Sequence, residues 1–271
     1  MLNLHKKILR LKIFIARTIF NFLNIFLKKE IITFKRKHHI WTLRINDIVG
    51  LSVFLTGGFQ TRRFYNFLKI QSDSQVFIDI GANIGSHTIN AFKVLKNLHV
   101  VYSIEPDEQN FKLLSKNITD NELSKSVMLF NSYVGERIDT NSISQYPLVT
   151  NKVFSNDFNG ISGSFNSANR FNIELLGNIK KHQNCVVKID VDGNELQVVN
   201  ALNDFLTDIK PNILIEFNKD LLKVEDLKDT LNFLDKIGYM VYKKNSQLKP
   251  LDVILKSKKN LGDDYVLINK N

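Results

Sequence analysis

From residue 76 the chain repeats one alternation: a short apolar run ending in an acid or glycine, then a stretch with apolar positions three or four apart. VFIDIG reads as a buried strand, and SHTINAFKVLK as a helix with Ile89, Phe92 and Leu95 facing inward. VVYSIEP and EQNFKLLSKNI repeat the pair, the helix placing Phe111, Leu114 and Ile118 on one face, and VMLFNS is a third strand. After a long polar stretch come the strand CVVKID, the helix ELQVVNALNDFL and the strand NILIEF. LKDTLNFLDKIG carries Leu227, Leu231 and Leu234 at helical spacing, with Gly238 placed as its C-cap. YMVYKK and DDYVLINK close the chain as two strands with no helix between them. Alternating β and α units predict a seven-stranded, mostly parallel sheet with helices on both faces, finished at one edge by an antiparallel strand pair.

The first 29 residues follow another pattern and contain no glycine or proline. At about 100° per residue, Lys6, Arg10, Arg17, Asn21, Asn24 and Lys28 fall in one narrow stripe, and most other positions are Leu, Ile or Phe. A membrane-spanning helix needs ~20 apolar residues. The best stretch, Ile13 to Leu27, is shorter and holds Arg17, and no small-residue cleavage site follows. An amphipathic helix lying in a membrane interface fits residues 1–37, with packing on the domain or on a partner as the other reading. Residues 38–271 then form the domain. Its entry, residues 40 to 70, alternates polar and apolar positions (Trp41, Leu43, Ile45), turns at Thr56-Gly57-Gly58, and runs on as an apolar helix-like stretch to Leu68.

Charge follows the same division. The net +10 is concentrated in residues 1–37, where ten Lys or Arg stand against one acid, so the remaining body is nearly neutral. A nearly neutral body argues against a nucleic-acid binder, whose domain shows a basic face. An apolar content of 44% is ample for a core. The lone cysteine, Cys185, excludes a disulfide framework and CxxC zinc sites, and suits a reducing, cytoplasmic setting.

Candidate chemistry begins at VFIDIGANIGSHT, a strand, a glycine turn and a helix start. Gly81 and Gly85 permit a tight turn and close approach to a ligand. Position 83 is Asn, so the NAD fingerprint GxGxxG is absent, and Asp79 ends the strand where a pyrophosphate would be repelled. Glu105 ends the second strand, twenty residues beyond Gly85, where a carboxylate can take both hydroxyls of an adenosine ribose. Together, Asp79, Gly81, Asn83, Gly85 and Glu105 favour S-adenosylmethionine, whose amino and sulfonium groups are cationic. Asn131 and Ser132, closing the third strand, complete the expected cofactor set.

DIGANIG, IEPDEQNFKLLSKN, KIDVDGNE and PNILIEF, taken together, resemble the FkbM family of methyltransferases over about residues 70 to 220, and DDYVLI resembles that family's last strand. The chain departs from the family at Asp192, where Glu is usual, and at NIELLGNIKK, ahead of the fourth strand. The resemblance implies the class I methyltransferase fold (Rossmann-like). It also implies methyl transfer to oxygen, commonly a sugar hydroxyl in a polysaccharide, glycolipid or natural product. The Asn-, Ser-, Gly- and Phe-rich stretch 140–170 suits a carbohydrate acceptor. An RNA ribose 2′-O-methyltransferase and a non-catalytic, membrane-attached binding protein are the alternatives.

KIDVDGNE carries the remaining chemistry. An EF-hand needs its glycine sixth, but Gly193 is fourth from Asp190. Asp192 or Asn194 can cap the following helix and Glu195 favours its first turn, yet capping leaves Asp190 and Lys188 unexplained. A sugar hydroxyl needs a base or a metal to remove its proton. Asp190 is therefore the expected catalytic acid–base group, oriented by Lys188, with Glu216 as accessory; Asp190, Asp192 and Glu216 are the expected ligands of any divalent metal. The expected partners are a sugar-containing acceptor and, through residues 1–35, the anionic cytoplasmic face of a membrane.

Overall fold

The computed structural model describes residues 14, 15, 18–22, 30–45, 47–135, 169–180, 183–191, 193–217, 224–243, 246–248 and 263–269. An antiparallel hairpin, β1 (Ile31–Arg36) and β2 (His39–Arg44), leads into α1 (Ile48–Thr56) and α2 (Thr61–Ile70). Then follow β3 (Val76–Ile80), α3 (Ser86–Ala91), β4 (Val100–Ile104), α4 (Glu108–Asp120), β5 (Val127–Phe130) and the short β6 (Ser132–Tyr133). β7 (Asn169–Arg170) and a 3-10 turn (Ile173–Asn178) precede β8 (Cys185–Ile189), α5 (Glu195–Ala201), α6 (Asn203–Asp208) and β9 (Asn212–Phe217). α7 (Val224–Lys236), β10 (Tyr239–Lys243), β11 (Ser246–Leu248) and β12 (Asp263–Asn269) complete the described elements.

The main sheet runs β11-β10-β12-β9-β8-β3-β4-β5. β5, β4, β3, β8 and β9 are parallel, and β12 inserts antiparallel between β9 and β10. The seven expected strands are all present, and β11 adds a short antiparallel eighth at the edge. This is the mixed, mostly parallel sheet that the alternating pattern predicts.

Strand residues alternate between two cores, because successive side chains leave a strand on opposite faces. Val76, Ile78 and Ile80 join Val187, Ile189, Ile213 and Ile215 on one face, under α5 to α7. Phe77, Val186 and Leu214 join the other core with Trp41, Leu43, Phe64, Phe67, Leu114 and Ile118. Each fully buried Leu, Ile or Phe contributes about 1.5–3 kcal/mol. Two such cores hold the sheet from both sides.

Three boundaries differ from the expectation. Residues 31–36 are a strand, so the N-terminal helix cannot extend to 37: Ile32 and Phe34 alternate inward and pair with β2. The helix after β3 stops at Ala91, where tighter turns (Val94 N to Ala91 O, 3.0 Å) return the chain toward β4. ELQVVNALNDFL divides at Leu202 into α5 and α6. Gly238 ends the helix region with φ +98° and its N–H on Asp235 O, as expected of a C-cap.

Candidate active site

The loop 81–85 is built by left-handed residues: Gly81 (φ +78°), Asn83 (+52°) and Gly85 (+88°). Glycine at 81 is obligatory, since a Cβ there would lie 1.9 Å from the Asp190 carbonyl oxygen. The N–H groups of Gly81 and Ala82 both bond Ile104 O at 3.0 Å, fastening the loop to the end of β4. Glu105 follows directly. Its Oε2 accepts Asn83 N–H at 2.8 Å and its Oε1 accepts Asp107 N–H at 3.0 Å. Burial raises its carboxyl to about 7, against the lowering effect of those bonds. Asn131 donates to the carbonyls of Glu105 (2.9 Å) and Pro106 (3.2 Å), so it braces the tip of β4. The buried Ser132 hydroxyl has no hydrogen-bond partner.

These features fit S-adenosylmethionine. Each carboxylate oxygen of Glu105 has taken one backbone donor, leaving lone pairs for a ribose diol. The orphaned hydroxyl of Ser132, the residue after Asn131, needs a polar partner. The hydrogen bonds bring the 81–85 loop, Glu105 and Asn131 together, with Ser132 next in the chain.

Asp79 belongs elsewhere. It is fully buried, its Oδ2 accepts the Thr88 hydroxyl at 2.7 Å, and its Oδ1 faces Lys188 Nζ at 3.7 Å. The sequence matched this carboxylate to a cationic donor group; the cation beside it in the structure is Lys188. The parallel register of β3 and β8 pairs the two residues directly.

Lys188 is the hub. Its Nζ lies 3.1 Å from Asp190 Oδ2 and donates to Gly81 O at 3.4 Å. Burial alone would lower the ammonium pKa, but Asp190 and Asp79 hold it up at about 12. Asp79, Lys188, Asp190 and Glu216 share strand parity with Phe77, Val186 and Leu214. Each strand therefore carries its apolar row into the core and its charges to the C-terminal end of the same face. Asp190 sits one residue past β8, its N–H on Ile80 O at 3.1 Å.

Around this pair a cleft is lined by Gln60, Arg63, Phe64, His87, Ile189, Leu214, Glu216 and Asp264. Gln60 caps α2 in a left-handed conformation (φ +44°), uncommon without glycine, and aims its amide at Glu216 Oε2, 3.4 Å away. Asp264 stands opposite Glu216 across the β9–β12 ladder and is ion-paired with Arg63. Burial, then the Asp190 and Asp264 charges, push the Glu216 carboxyl well up from its ordinary value. Burial and the Lys188 charge keep His87 well below its ordinary value, leaving a neutral imidazole against Phe64 at 4.5 Å.

The structure thus joins Lys188, Asp190 and Glu216, as the sequence reading expected. Asp192 lies outside the described residues, as do residues 136–168, which hold most of the expected acceptor stretch. Of the proposed metal trio only Asp190 and Glu216 are described, and among the described residues no group of three His, Cys, Asp or Glu is arranged to hold an ion. Asn194 makes no capping bond to α5; Glu195 instead reaches back to Gly193 N–H at 2.9 Å. Sequence reasoning missed Gln60, Arg63, Phe64, His87 and Asp264. The available signals were the paired acids of DDYVLI and a histidine directly after the glycine loop.

The methyltransferase FkbM domain matches residues 79–241. A search of curated proteins gave no match. Among solved structures, the chain is similar to methyltransferase FkbM from Methylobacillus flagellatus KT, with 19% identity and a TM-score of 0.48. That alignment covers 80% of this chain but 52% of the other, so the chain spans about half of that protein's length. It is also similar to TYW2 of M. jannaschii in complex with AdoMet (16% identity, TM-score 0.42, 88% and 84% of the two chains). The tRNA m1G37 methyltransferase of M. jannaschii aligns at 14% identity with a TM-score of 0.44 over 90% and 56%. With the domain match extending over more than half of the chain, from the acid of DIGANIG into β10, the protein belongs to the FkbM family of methyltransferases.

Proposed function

We propose that the protein transfers the methyl group of S-adenosylmethionine to a hydroxyl oxygen, that of a sugar in a polysaccharide, glycolipid or natural product. The observation that carries this reading is the Lys188–Asp190 pair, 3.1 Å apart at the tip of β8 and beside the donor loop. Glu105, Ser132 and the 81–85 loop would hold the donor, which supplies an electrophilic methyl on a sulfonium that departs as a neutral thioether. Asp190 accepts the hydroxyl proton as the new oxygen–carbon bond forms. Lys188 keeps Asp190 aimed at the acceptor. Glu216, whose carboxyl is pushed up by burial and by the neighbouring acids, can in its protonated form donate a hydrogen bond to a neighbouring acceptor oxygen.

The carboxyl groups of Asp190, Glu216 and Asp264 line the acceptor side. A polyol, rich in O–H donors, suits that lining better than a phosphate backbone, which favours the sugar over the RNA alternative. The test is incubation with methyl-labelled donor and cell-envelope extract, then identification of the product. Label on a sugar oxygen supports the proposal; label on RNA or on a nitrogen overturns it.

Donor binding provides an independent check. Replacing Glu105 with Ala should cost about 1.5–3 kcal/mol, roughly ten- to 150-fold in affinity, because charged hydrogen bonds to the ribose are lost. The wild-type affinity should also fall as the pH drops through about 7, since protonation of Glu105 removes acceptor capacity. Calorimetry reads both effects. A pH-independent affinity, or NAD binding in place of the methyl donor, would contradict the assignment.

A further inference from the structure

Among the described residues of the N-terminal helix (14, 15 and 18–22), Phe20 alone turns inward, although an amphipathic surface helix would bury its whole apolar stripe. Phe20 is fully buried and packs edge-on against Phe54 of α1, ring centroids 5.0 Å apart, and Phe54 in turn meets Phe34 of β1 at 5.1 Å. At about 100° per residue, Ile19 and Ile15 lie roughly 100° and 140° to one side of Phe20 and Phe14 roughly 120° to the other, so together they span the side of the helix opposite Phe20. They point away from the body: Phe14 is 68% exposed, Ile15 48% and Ile19 40%. An apolar face turned outward while Phe20 is packed inward needs a partner.

The adjoining hairpin indicates which partner. Its turn exposes Lys35, Arg36, Lys37 and His38 in succession, and Ile31 and Ile40 are exposed on the same two strands. Lys93 adds a further positive group near this turn, its pKa held down by burial and by the Lys37 charge. The sequence concentrates nine of the ten net positive charges in residues 1–37. A second protein copy would bring like charges together at such a face, whereas an anionic bilayer offers both headgroup charge and an apolar layer. No helix among the described residues is long and apolar enough to cross a membrane.

We propose that Phe14, Ile15 and Ile19, with the Lys35–His38 turn, form a docking surface for anionic lipid that is fixed to the catalytic domain by Phe20. It is not a detachable tail. Deleting residues 1–35 would also remove Phe20 and nearly all of β1, so point variants are the proper probe. Full-length protein is expected to float with phosphatidylglycerol–phosphatidylcholine vesicles and much less with phosphatidylcholine alone. A triple change, Phe14→Ser, Ile15→Ser and Ile19→Ser, and separately Lys35→Glu, Arg36→Glu and Lys37→Glu, should each reduce capture on the order of tenfold or more. Calorimetric binding of S-adenosylmethionine, unchanged in both variants, reports that they are folded. Absence of wild-type flotation, or capture of both folded variants at the wild-type level, overturns the proposal. So does a wild-type dimer that ignores vesicles and becomes monomeric in the serine variant.

Discussion

Replacing Asp190 with Asn is expected to lower turnover on the order of 10²-fold or more while leaving donor affinity near the wild-type value. The substitution keeps the size and planarity of the side chain but removes the group that takes the acceptor proton. Donor binding should survive because the loop 81–85 is fastened to β4 through Ile104 and Glu105, not to the Asp190 side chain. Lys188 retains Asp79 at 3.7 Å and Gly81 O at 3.4 Å, so the floor of the site stays in place. Near wild-type turnover would show that Asp190 is structural. Activity in a chelator separates the two ways in which this acid could act: full activity leaves the base role standing and removes a metal-bound one.

The second large effect is on stability. Lys188→Met removes the ammonium that stands beside Asp79, whose Oδ1 has no hydrogen-bond donor among the described residues. A buried carboxylate stripped of its counter-charge costs about 3–5 kcal/mol, measurable by denaturant unfolding. The sign of the pH dependence follows from the groups involved. The lysine is raised from 10.5 to about 12 in the folded protein. Its contribution is therefore fully present below 10.5 and is lost as the pH rises through about 12. The difference between wild type and variant should shrink over that alkaline window. Burial already raises Asp79, and loss of the Lys188 charge raises it further, so the variant should regain stability on acidification. Adding Asp79→Asn to Lys188→Met should recover part of the loss. A single variant as stable as wild type would mean that the ammonium does not compensate Asp79.

Much of this site was legible along the chain. The donor loop is contiguous, and its chemistry rests on local constraints: glycine where φ is positive, and an acid at the end of a strand. Strand parity likewise foretold that Lys188 and Asp190 share a side. The alternation of apolar runs with helical spacing specified the elements, because each pattern buries a face only in its own geometry.

What the chain could not disclose is which distant residues meet. Asp79 read alone faces a ligand, but the β3–β8 register sets Lys188 beside it across more than a hundred residues. Asp264 reaches Glu216 only because the last strand inserts between β9 and β10, and Gln60 and Arg63 arrive on α2, ahead of the family domain. The N-terminal segment carries apolar residues on much of its circumference, so its sequence fits several dockings equally well. Packing of Phe20 against Phe54 selects one of them. Periodicity, turn chemistry and charge are local quantities, which the amino-acid order determines directly. Sheet order, register and the choice of buried face minimise exposed apolar area over the whole chain, so only the tertiary structure decides them.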